Sequence, residues 1–353
     1  MKGVPGMKIL ALDLGKYKTV GCAYESESGA HEFQRTFTAA ADLQRLVQEV
    51  KPDRVVIEVC SIAGWVCDLM GQLGIEVQVA NTSDDAWRWR KVKQKDDRRD
   101  ALKAARLSAV NQVREVYIPQ TEVRQWRALI TYRRHLVGRR TKIKNHIRDL
   151  LVRKGQILAR GSRCWTKLGQ ELLSSMARPL AEVGVAELWR GELWEELQQL
   201  QMVQARIASV EEKLNAIGEA DKRVQLLRTI PGVGPRLAEA IVALLDQPQR
   251  FRKASQVSGY IGMVPKAFDS GESERRGHIT RQGSGLVRSL LVEVAWAGLR
   301  HNTWMRQTYH RLSGGGKKAR KKIAIVAVGR KLLVRCWAML RDNCAWDWQP
   351  QIT

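Results

Sequence analysis

Apolar and polar positions alternate in short blocks over the first eighty residues of the chain. Residues 8–13 form an apolar run that closes on a carboxylate, and residues 19–24 form a second run of β-favouring residues, which together predict a β-hairpin. The elements predicted next are a strand at 33–37, a helix at 39–50, a buried strand at 54–59, a helix at 63–73 and a strand at 75–80. The helix at 39–50 has Leu43, Leu46, Val47 and Val50 on one face, which predicts that these four residues are buried. A hairpin followed by alternating helices and strands indicates a mixed α/β sheet.

The middle of the chain has helical periodicity. Residues 94–113 predict one helix, and residues 126–151 predict a second in which Leu129, Leu136, Ile143 and Leu150 recur every seven residues. This repeat is typical of a coiled-coil seam. A third helix at 186–217 carries its own apolar stripe. The two long helices predict a stalk that is either antiparallel or formed between chains, with 160–184 as a less regular link.

After Gly218 the pattern changes to short helices and glycine-rich turns that end in a helix at 321–340. The predicted fold class is therefore α/β plus α. We expect an α/β domain at 1–120, a coiled-coil helical region at 121–217 and a mostly helical C-terminal domain at 218–353.

The charge of the chain points to a polyanionic partner. Sixty Lys and Arg against 36 Asp and Glu give a net charge of +24 and a pI near 10.2. Uncharged apolar runs such as 323–329 are too short to span a bilayer, and residues 1–7 lack an apolar secretory segment, so we expect a cytoplasmic protein without a membrane partner. The cysteines and histidines lack the spacing of a zinc site, which argues against transition-metal catalysis.

Four carboxylates carry the clearest chemical signal. Asp13 ends the first strand, Glu58 lies near the end of a buried strand, and Asp97 and Asp100 are three residues apart on one helix face. Buried carboxylates are costly unless they are paired, and two Mg²⁺ ions bridged by such a cluster would serve phosphodiester chemistry. This order is that of the ribonuclease H-like fold. Each acid taken alone could instead be a turn or surface residue, and Asp96 could share the face of Asp100.

Glycines and basic residues indicate where nucleic acid would bind. The segment Pro231-Gly232-Val233-Gly234 predicts a tight turn between two short helices, a helix-hairpin-helix-like element in which the backbone N–H groups of Gly232 and Gly234 approach a phosphate. A plain helix–helix turn is the alternative. The basic residues that we expect to contact phosphates are Arg98, Arg99, Arg133, Arg134, Arg139, Arg140, Lys317 and Lys318. Residues 121–160 carry 12 Lys or Arg against two acids.

A serine in the C-terminal part is a candidate nucleophile. Ser270 precedes Gly271 in what we interpret as a loop, and Arg275, Arg276 and Arg281 follow it. A hydroxyl in such surroundings could attack phosphorus if a base or a metal takes its proton. Serine–glycine pairs are common in turns, so this signal by itself is weak.

The order of these motifs resembles the DEDD transposases of insertion-sequence family one-ten over nearly the whole chain. The resemblance rests on Asp13, Glu58, the segment Lys-Asp-Asp-Arg-Arg-Asp-Ala at 95–101, the turn at 231–234, Gly-Tyr-Ile-Gly-Met-Val-Pro at 259–265, Ser270-Gly271 and Gly-His-Ile-Thr-Arg-Gln-Gly at 277–283. The chain departs from the family in having Asp96 where Thr is frequent. It also has Val59-Cys60-Ser61 after Glu58 where the family has Ala-Thr-Gly.

The resemblance implies a fold and a reaction. It implies a RuvC-like N-terminal domain, a coiled coil and a C-terminal transposase domain, with Asp13, Glu58, Asp97 and Asp100 binding two Mg²⁺ ions. The serine that matches Ser270 would attack DNA and hold one end covalently. A structured noncoding guide RNA would pair with target and donor DNA, and a homo-oligomer, a dimer or tetramer, would form composite active sites.

We therefore predict an RNA-guided DNA recombinase of a bacterial insertion sequence, associated with the nucleoid. Two alternatives stay open at the level of sequence. A structure-specific endonuclease of the Holliday-junction type would need the acids and the hairpin but no serine. A non-catalytic nucleic-acid-binding scaffold would need only the basic surfaces, and the intact acidic quartet argues against it.

Overall fold

A computed structural model describes residues 6–81, 96–270, 273–317 and 320–348 of the chain, which divides into two units, residues 1–124 and 125–353. The elements of the first unit are β1 (Lys8–Leu14), β2 (Lys18–Glu25), β3 (His31–Phe37), α1 (Ala40–Val50), β4 (Arg54–Glu58), α2 (Ala63–Gln72), β5 (Glu76–Ala80) and α3 (Asp97–Ala109). The sheet order is β3-β2-β1-β4-β5, antiparallel from β3 to β1 and parallel from β1 to β5. The predicted mixed sheet is confirmed, and its order is consistent with a ribonuclease H-like fold.

The two faces of this sheet are covered by different helices. On one face Leu10, Leu12 and Ile57 pack with α1 and α2, and α1 buries the four residues that its amphipathic pattern predicted. On the other face Ile9, Ala11 and Val56 pack against α3. The buried positions of α3 are small, namely Ala101, Ala104, Ala105 and Ser108, so this helix lies close to the strands.

The second unit is mostly helical. Its elements are α4 (Thr121–Arg153), which begins in the last residues of the first unit, α5 (Lys167–Met176), α6 (Leu188–Ala220), α7 (Lys222–Arg228), α8 (Pro235–Leu245), α9 (Ala254–Tyr260), β6 (Pro265–Ser270), β7 (Ser273–Ile279), α10 (Gly285–Gly298), α11 (Thr303–Ser313) and α12 (Lys321–Asp342). Helix α12 has ten buried residues, eight of which belong to the C-terminal core, and it packs against α7 to α11. In the described part of the chain, no helix combines the length and the apolar character that crossing a membrane requires.

The stalk helices α4 and α6 pair within the chain. Arg133 Nε donates to Glu211 Oε1 at 2.7 Å, and His146 Nε2 lies 2.9 Å from Glu192 Oε1. Since the later residue of α4 meets the earlier residue of α6, the helices run antiparallel. The seam residues of α4 and the apolar residues that cover them form one buried cluster, which contains Leu136, Ile143, Leu150, Leu173, Leu193, Leu200, Val203 and Ile207.

The sequence allowed the seam to be covered either within the chain or by another chain, and this packing favours the antiparallel arrangement within the chain. Three of its four residues are covered by α5 and α6 of the same chain, and Leu129 packs instead with the C-terminal core. The link at 160–184 is also more regular than expected, because it contains α5.

Replacing Leu136 and Ile143 together by glutamate is therefore expected to unfold the stalk. Their side chains are 0% and 9% exposed, and two unpaired carboxylates in an apolar cluster cost several kcal/mol. The measurement is the thermal midpoint followed by circular dichroism. A matched control is His135→Glu with Lys142→Glu, also seven residues apart but exposed, which should shift the midpoint little. An unchanged midpoint with a lower molecular mass would mean that the seam faces another chain.

A carboxylate buried near the end of α6 is expected to make the stability of the protein depend on pH. Glu239 on α8 is 1% exposed, and its carboxylate lies against Gly218, where a Cβ would come within 2.9 Å of it. Arg236 Nη2 approaches to 3.2 Å, yet burial outweighs this cation and raises the pKa of Glu239 from 4.5 to about 7. Keeping the charged form buried therefore costs stability.

Because its pKa is raised on folding, Glu239 makes the protein more stable at low pH than at neutral pH. A carboxyl whose pKa is raised on folding contributes stability below pH 4.5, and this contribution is lost as the pH rises through about 7. We expect urea unfolding to report a loss of about 2–3 kcal/mol between pH 4.5 and 8 from this group. Glu239→Gln should flatten that dependence, whereas Glu212→Gln, on an exposed position of α6, should not. Equal pH profiles for the Glu239→Gln variant and the parent protein would contradict the assignment.

Candidate active site

Two of the predicted acids come together at the carboxyl ends of adjacent strands. Strands β1 and β4 are parallel neighbours, and their register pairs Leu12 with Ile57. The next residues along the two strands are Asp13 and Glu58, both half-buried. Side chains of paired residues in neighbouring strands point to the same face of a sheet. Asp13 and Glu58 are therefore neighbours on one face.

The other two acids lie on the helix that covers this face. Side chains alternate along a strand, so Asp13 shares its face with Ala11 and Glu58 shares its face with Val56, and both of these apolar residues pack against α3. On α3, Asp97 and Asp100 precede the buried Ala101 and Ala104 by four residues each. Residues four apart on a helix lie one above the other. Asp97 and Asp100 thus lie on the side of α3 that packs toward the strands carrying Asp13 and Glu58.

Asp96 and Asp97 have different positions at the start of α3. The carboxylate of Asp96 accepts the backbone N–H of Arg98 at 3.2 Å and is the N-cap of α3. Such a cap stabilises a helix by about 1 kcal/mol. Asp97 is the first helical residue and stands in line with Ala101. This arrangement favours Asp97 as the third acid and gives Asp96 a structural role.

The spacing of the acids determines whether they can hold a metal ion together. Within 6–81, 96–270, 273–317 and 320–348, no three His, Cys, Asp or Glu side chains lie close enough to hold a metal ion together. The chemistry of the donor set nevertheless fits magnesium, because it consists of carboxylate oxygens and contains no sulfur or imidazole. Asp13, Glu58, Asp97 and Asp100 are the residues that would hold the ion.

Basic residues accompany the acids in the first turn of α3. Arg98 and Arg99 are exposed, and the guanidinium of Arg98 lies 5.6 Å from the ring centre of Phe33 on β3. A cation in this position would face an approaching phosphate. The sequence just before α3 contains five more basic residues that lie outside the described residues, namely Arg88, Arg90, Lys91, Lys93 and Lys95.

Ser270 lies in a β-hairpin, and the loop predicted for it is wrong. Ser270 is the last residue of β6 and pairs with Ser273 at the start of β7. The side chain of Ser270 and all of Gly271 and Glu272 lie outside the described residues. A sequence signal for this hairpin was available, since a two-residue turn that begins with glycine is typical of tight hairpins. The strong helical pattern around it concealed that signal.

The base of this hairpin explains two of the glycine motifs. Gly262 has a φ of +69°, and a Cβ there would lie 2.2 Å from the backbone of Gln282. Arg281 N donates to Gly262 O at 3.0 Å, and Arg288 Nη1 donates to the carbonyl oxygens of Ile261 and Gln282 at 2.8 and 2.7 Å. Only glycine allows this approach, so the chain segments on both sides of the hairpin are held together.

The predicted glycine turn connects α7 and α8. Gly232 has a φ of +90°, and Gly234 is the extended N-cap residue before Pro235 at the first position of α8. Asn302 Nδ2 donates to Pro231 O at 2.9 Å and holds the turn against α11. The turn between two short helices is therefore present, with both glycines exposed. Its contact with phosphate remains a prediction.

The basic residues predicted for the stalk and tail differ in their surroundings. Arg133 pairs with Glu211, and Arg134 lies 3.8 Å from Glu293, so their charges are partly neutralised within the chain. Arg139 and Arg140 form no ion pair with any other described residue and are the better candidates for phosphate contact. Lys317 is exposed after the glycine run at 314–316, and Lys318 lies outside the described residues.

Comparisons with known proteins identify the family of this chain. A model of the DEDD transposases of IS110 matches residues 10–154, which include all four acids, and a model described as the transposase IS116/IS110/IS902 family matches residues 224–310, which include the glycine turn and Ser270. The chain is 27% identical to a probable family 20 transposase of Pseudomonas aeruginosa over 96% of its length and 99% of the relative.

Two further relatives point the same way. The transposase for insertion sequence element IS1111A of Coxiella burnetii is 28% identical, with 96% of this chain and 91% of the relative covered. A pilin gene-inverting protein of Moraxella lacunata is 28% identical over 38% of this chain and 42% of that protein. The two family models and the full-length relatives establish that the chain belongs to the IS110 family of DEDD transposases, enzymes that cut and recombine DNA.

Proposed function

We propose that this transposase is a Mg²⁺-dependent recombinase in which Asp13, Glu58, Asp97 and Asp100 bind the metal and Ser270 attacks DNA. The observation that carries the proposal is that Asp13 and Glu58 are neighbours at the ends of β1 and β4, on the sheet face that α3 covers, while Asp97 and Asp100 lie on the side of α3 that packs toward this face. A donor set that consists only of carboxylate oxygens suits a hard cation such as Mg²⁺, which supports this assignment. Two bound Mg²⁺ ions would supply charge stabilisation for the attacking and leaving oxygens.

The proposed cleavage step is a transesterification. The hydroxyl oxygen of Ser270 forms a bond to phosphorus while the bond from phosphorus to a deoxyribose oxygen breaks, and the hydroxyl proton passes to a base. One DNA end is then joined to the protein, and attack by another DNA hydroxyl reverses the step onto a new strand. The number of phosphoester bonds is conserved, so no external energy source is needed.

The acids and the serine belong to different units of the chain. We propose that they act together in an oligomer, a dimer or tetramer, in which acids and serine are contributed by the same or by different subunits. Symmetric assemblies readily build such shared sites. The functional division that we propose is a catalytic domain at 1–120, a helical stalk at 121–217 and a strand-transferring domain at 218–353.

The proposed partners are target DNA, donor DNA and a structured guide RNA. The net charge of +24 supports polyanionic partners, and Arg98, Arg99, Arg139, Arg140 and Lys317 support contacts to the backbone. We further propose that the glycine turn at 231–234 holds a phosphate through backbone N–H groups. Guidance by RNA rests on the family resemblance, and the reaction would take place on the nucleoid in the cytoplasm.

The proposal is tested with the wild-type protein and its insertion element. The chain is expressed together with the noncoding ends of the element, the co-purified RNA is sequenced, and labelled donor and target DNA are added. Strand exchange is expected only when both RNA and Mg²⁺ are present, and EDTA should abolish it. Cleavage of branched DNA without any covalent adduct would favour the Holliday-junction-type nuclease, and binding without cleavage would favour the scaffold.

A further inference from the structure

A cavity in the second unit lies where α9, α11 and α12 converge. Its volume is about 490 Å³. Eleven residues line it, namely Ala254, Ser255, Ser258, Val264, Trp304, Thr308, Arg311, Arg330, Lys331, Val334 and Arg335. The lining thus combines four cations, three hydroxyl side chains and an apolar wall, and it contains no acid.

The charge of this lining is not balanced locally. Among the described residues, none of Arg311, Arg330, Lys331 and Arg335 forms an ion pair with a carboxylate, whereas other arginines of this unit, such as Arg133 and Arg223, do. Cations that converge on one concave space, with no carboxylate partner in the described part of the chain, repel one another and attract an anion. If these cations served only to keep helix faces soluble, they would not need to surround the same cavity. Their convergence therefore indicates that an anionic ligand binds there.

The aromatic residues fix part of this lining. The guanidinium of Arg335 lies 4.7 Å from the ring centre of Trp304 and 5.2 Å from that of Trp346, and the two indoles meet edge to face. Such stacking orients the guanidinium. Arg330 and Lys331 precede Val334 and Arg335 by four residues on α12, so all four share one helix face. Three of the four cations are therefore presented by one face of α12.

The volume of the cavity selects among anions. Pockets for small organic ligands measure about 300–1,000 Å³, and this cavity falls within that range. A single inorganic phosphate would leave most of the space empty. A nucleotide would occupy it, with the phosphate at the cations and the sugar and base against the apolar wall of Val264, Val334 and Trp304.

We propose that this cavity binds one nucleotide of a single-stranded nucleic-acid segment, with Arg311, Arg330 and Lys331 holding its phosphate. The proposal rests on the proposed function only in taking nucleic acid as the ligand, and it requires neither the metal site nor Ser270. Val264 of the cavity wall is followed directly by β6. A nucleic-acid strand held in the cavity would therefore lie at the base of this hairpin. Ser270 is the last of the six residues of β6, which span about 20 Å when extended.

The first test measures binding without cleavage. A labelled twelve-nucleotide oligothymidylate is titrated in EDTA against the full chain and against Arg330→Gln with Lys331→Gln. Affinity is expected to fall at least tenfold. The slope of log affinity against log salt is expected to become shallower by at most about 0.7, which corresponds to the loss of one phosphate contact on a single strand. The matched control is Arg300→Gln with Arg306→Gln, two exposed cations outside the cavity that remove the same charge.

The control variant distinguishes binding in the cavity from general electrostatic attraction between the basic protein and nucleic acid. Equal losses in the two double variants would overturn the proposal. Oligouridylate of the same length identifies the source of the nucleotide: a loss with both probes means that the phosphate is recognised on either sugar, and a loss with one probe assigns the cavity to DNA or to RNA. Because EDTA prevents cleavage, failure of the metal-dependent reaction would leave this result unaffected.

A second measurement on the wild-type protein guards against misfolding of the variant. An oligonucleotide that contains 5-bromodeoxyuridine or 5-bromouridine is irradiated in the complex, and the cross-linked peptides are identified by mass spectrometry. Cross-links within 254–264, 304–311 or 330–335 would support the cavity. Cross-links confined to other segments would exclude it.

Discussion

Asp13→Asn is expected to lower DNA strand cleavage by about 10³-fold, equivalent to about 4 kcal/mol in the barrier, with nucleic-acid affinity nearly unchanged. Asp13 is half-buried at the end of β1, next to Glu58 on the face that α3 covers. Asparagine keeps the size of the side chain but removes the charge that would bind a cation. Since the proposed role is in metal binding and not in phosphate contact, the affinity should survive.

The measurement is cleavage of labelled DNA in Mg²⁺, with affinity determined in parallel. Asp42→Asn is a suitable control, because Asp42 lies on α1 and on the opposite face of the sheet. The pair Asp96→Asn and Asp97→Asn tests the register of the third acid. Asparagine is as good an N-cap as aspartate, so Asp96→Asn should retain activity while Asp97→Asn should lose it. Near-normal cleavage by the Asp13→Asn protein would exclude the metal-site assignment.

Ser270→Ala is expected to eliminate both the covalent protein–DNA adduct and recombination. A methyl group has no oxygen to form the bond to phosphorus, so the loss should be complete within detection. The adduct is visualised as labelled DNA that migrates with the protein on a denaturing gel. Ser273→Ala is the matched control, since Ser273 is the cross-strand partner of Ser270 in the same hairpin.

Mixing two inactive proteins tests whether acids and serine are shared between subunits. Ser270→Ala protein retains the acids and Asp13→Asn protein retains the serine, so a mixed oligomer with sites built in trans should recover some activity. No recovery would mean that each site is built within one chain. An adduct that persists in Ser270→Ala protein would exclude this serine as the nucleophile.

Local patterns were sufficient for most of the first unit. The helix predicted at 39–50 is α1, with the same four buried residues, and the strand predicted at 54–59 is β4. These elements follow the sequence because each buries one periodic face against a neighbour close in the chain. The order of the acids could also be read, because the ends of strands and the first turn of α3 are marked by local residues.

The second unit depended more on distant contacts. The Ser270 hairpin sits among helices, and its base is held by backbone contacts between Gly262 and Gln282 that no local pattern reveals. Trp346, in a tail without periodicity, packs on Trp304 and Arg335. The cations of the cavity are split between α11 and α12. Their charge was evident in the sequence, but their convergence was not.

The periodic elements, the excess of positive charge and the family motifs can be read from the chain alone, since each depends on neighbouring residues or on composition. What covers each apolar stripe, and which charges meet, depends on how the elements pack. A seven-residue repeat is satisfied by any apolar partner, and here α6 returns antiparallel to cover it. Likewise, Asp96 and Asp97 are adjacent in sequence, and the structure makes Asp96 the cap of α3 and places Asp97 in line with Ala101, which packs on the sheet.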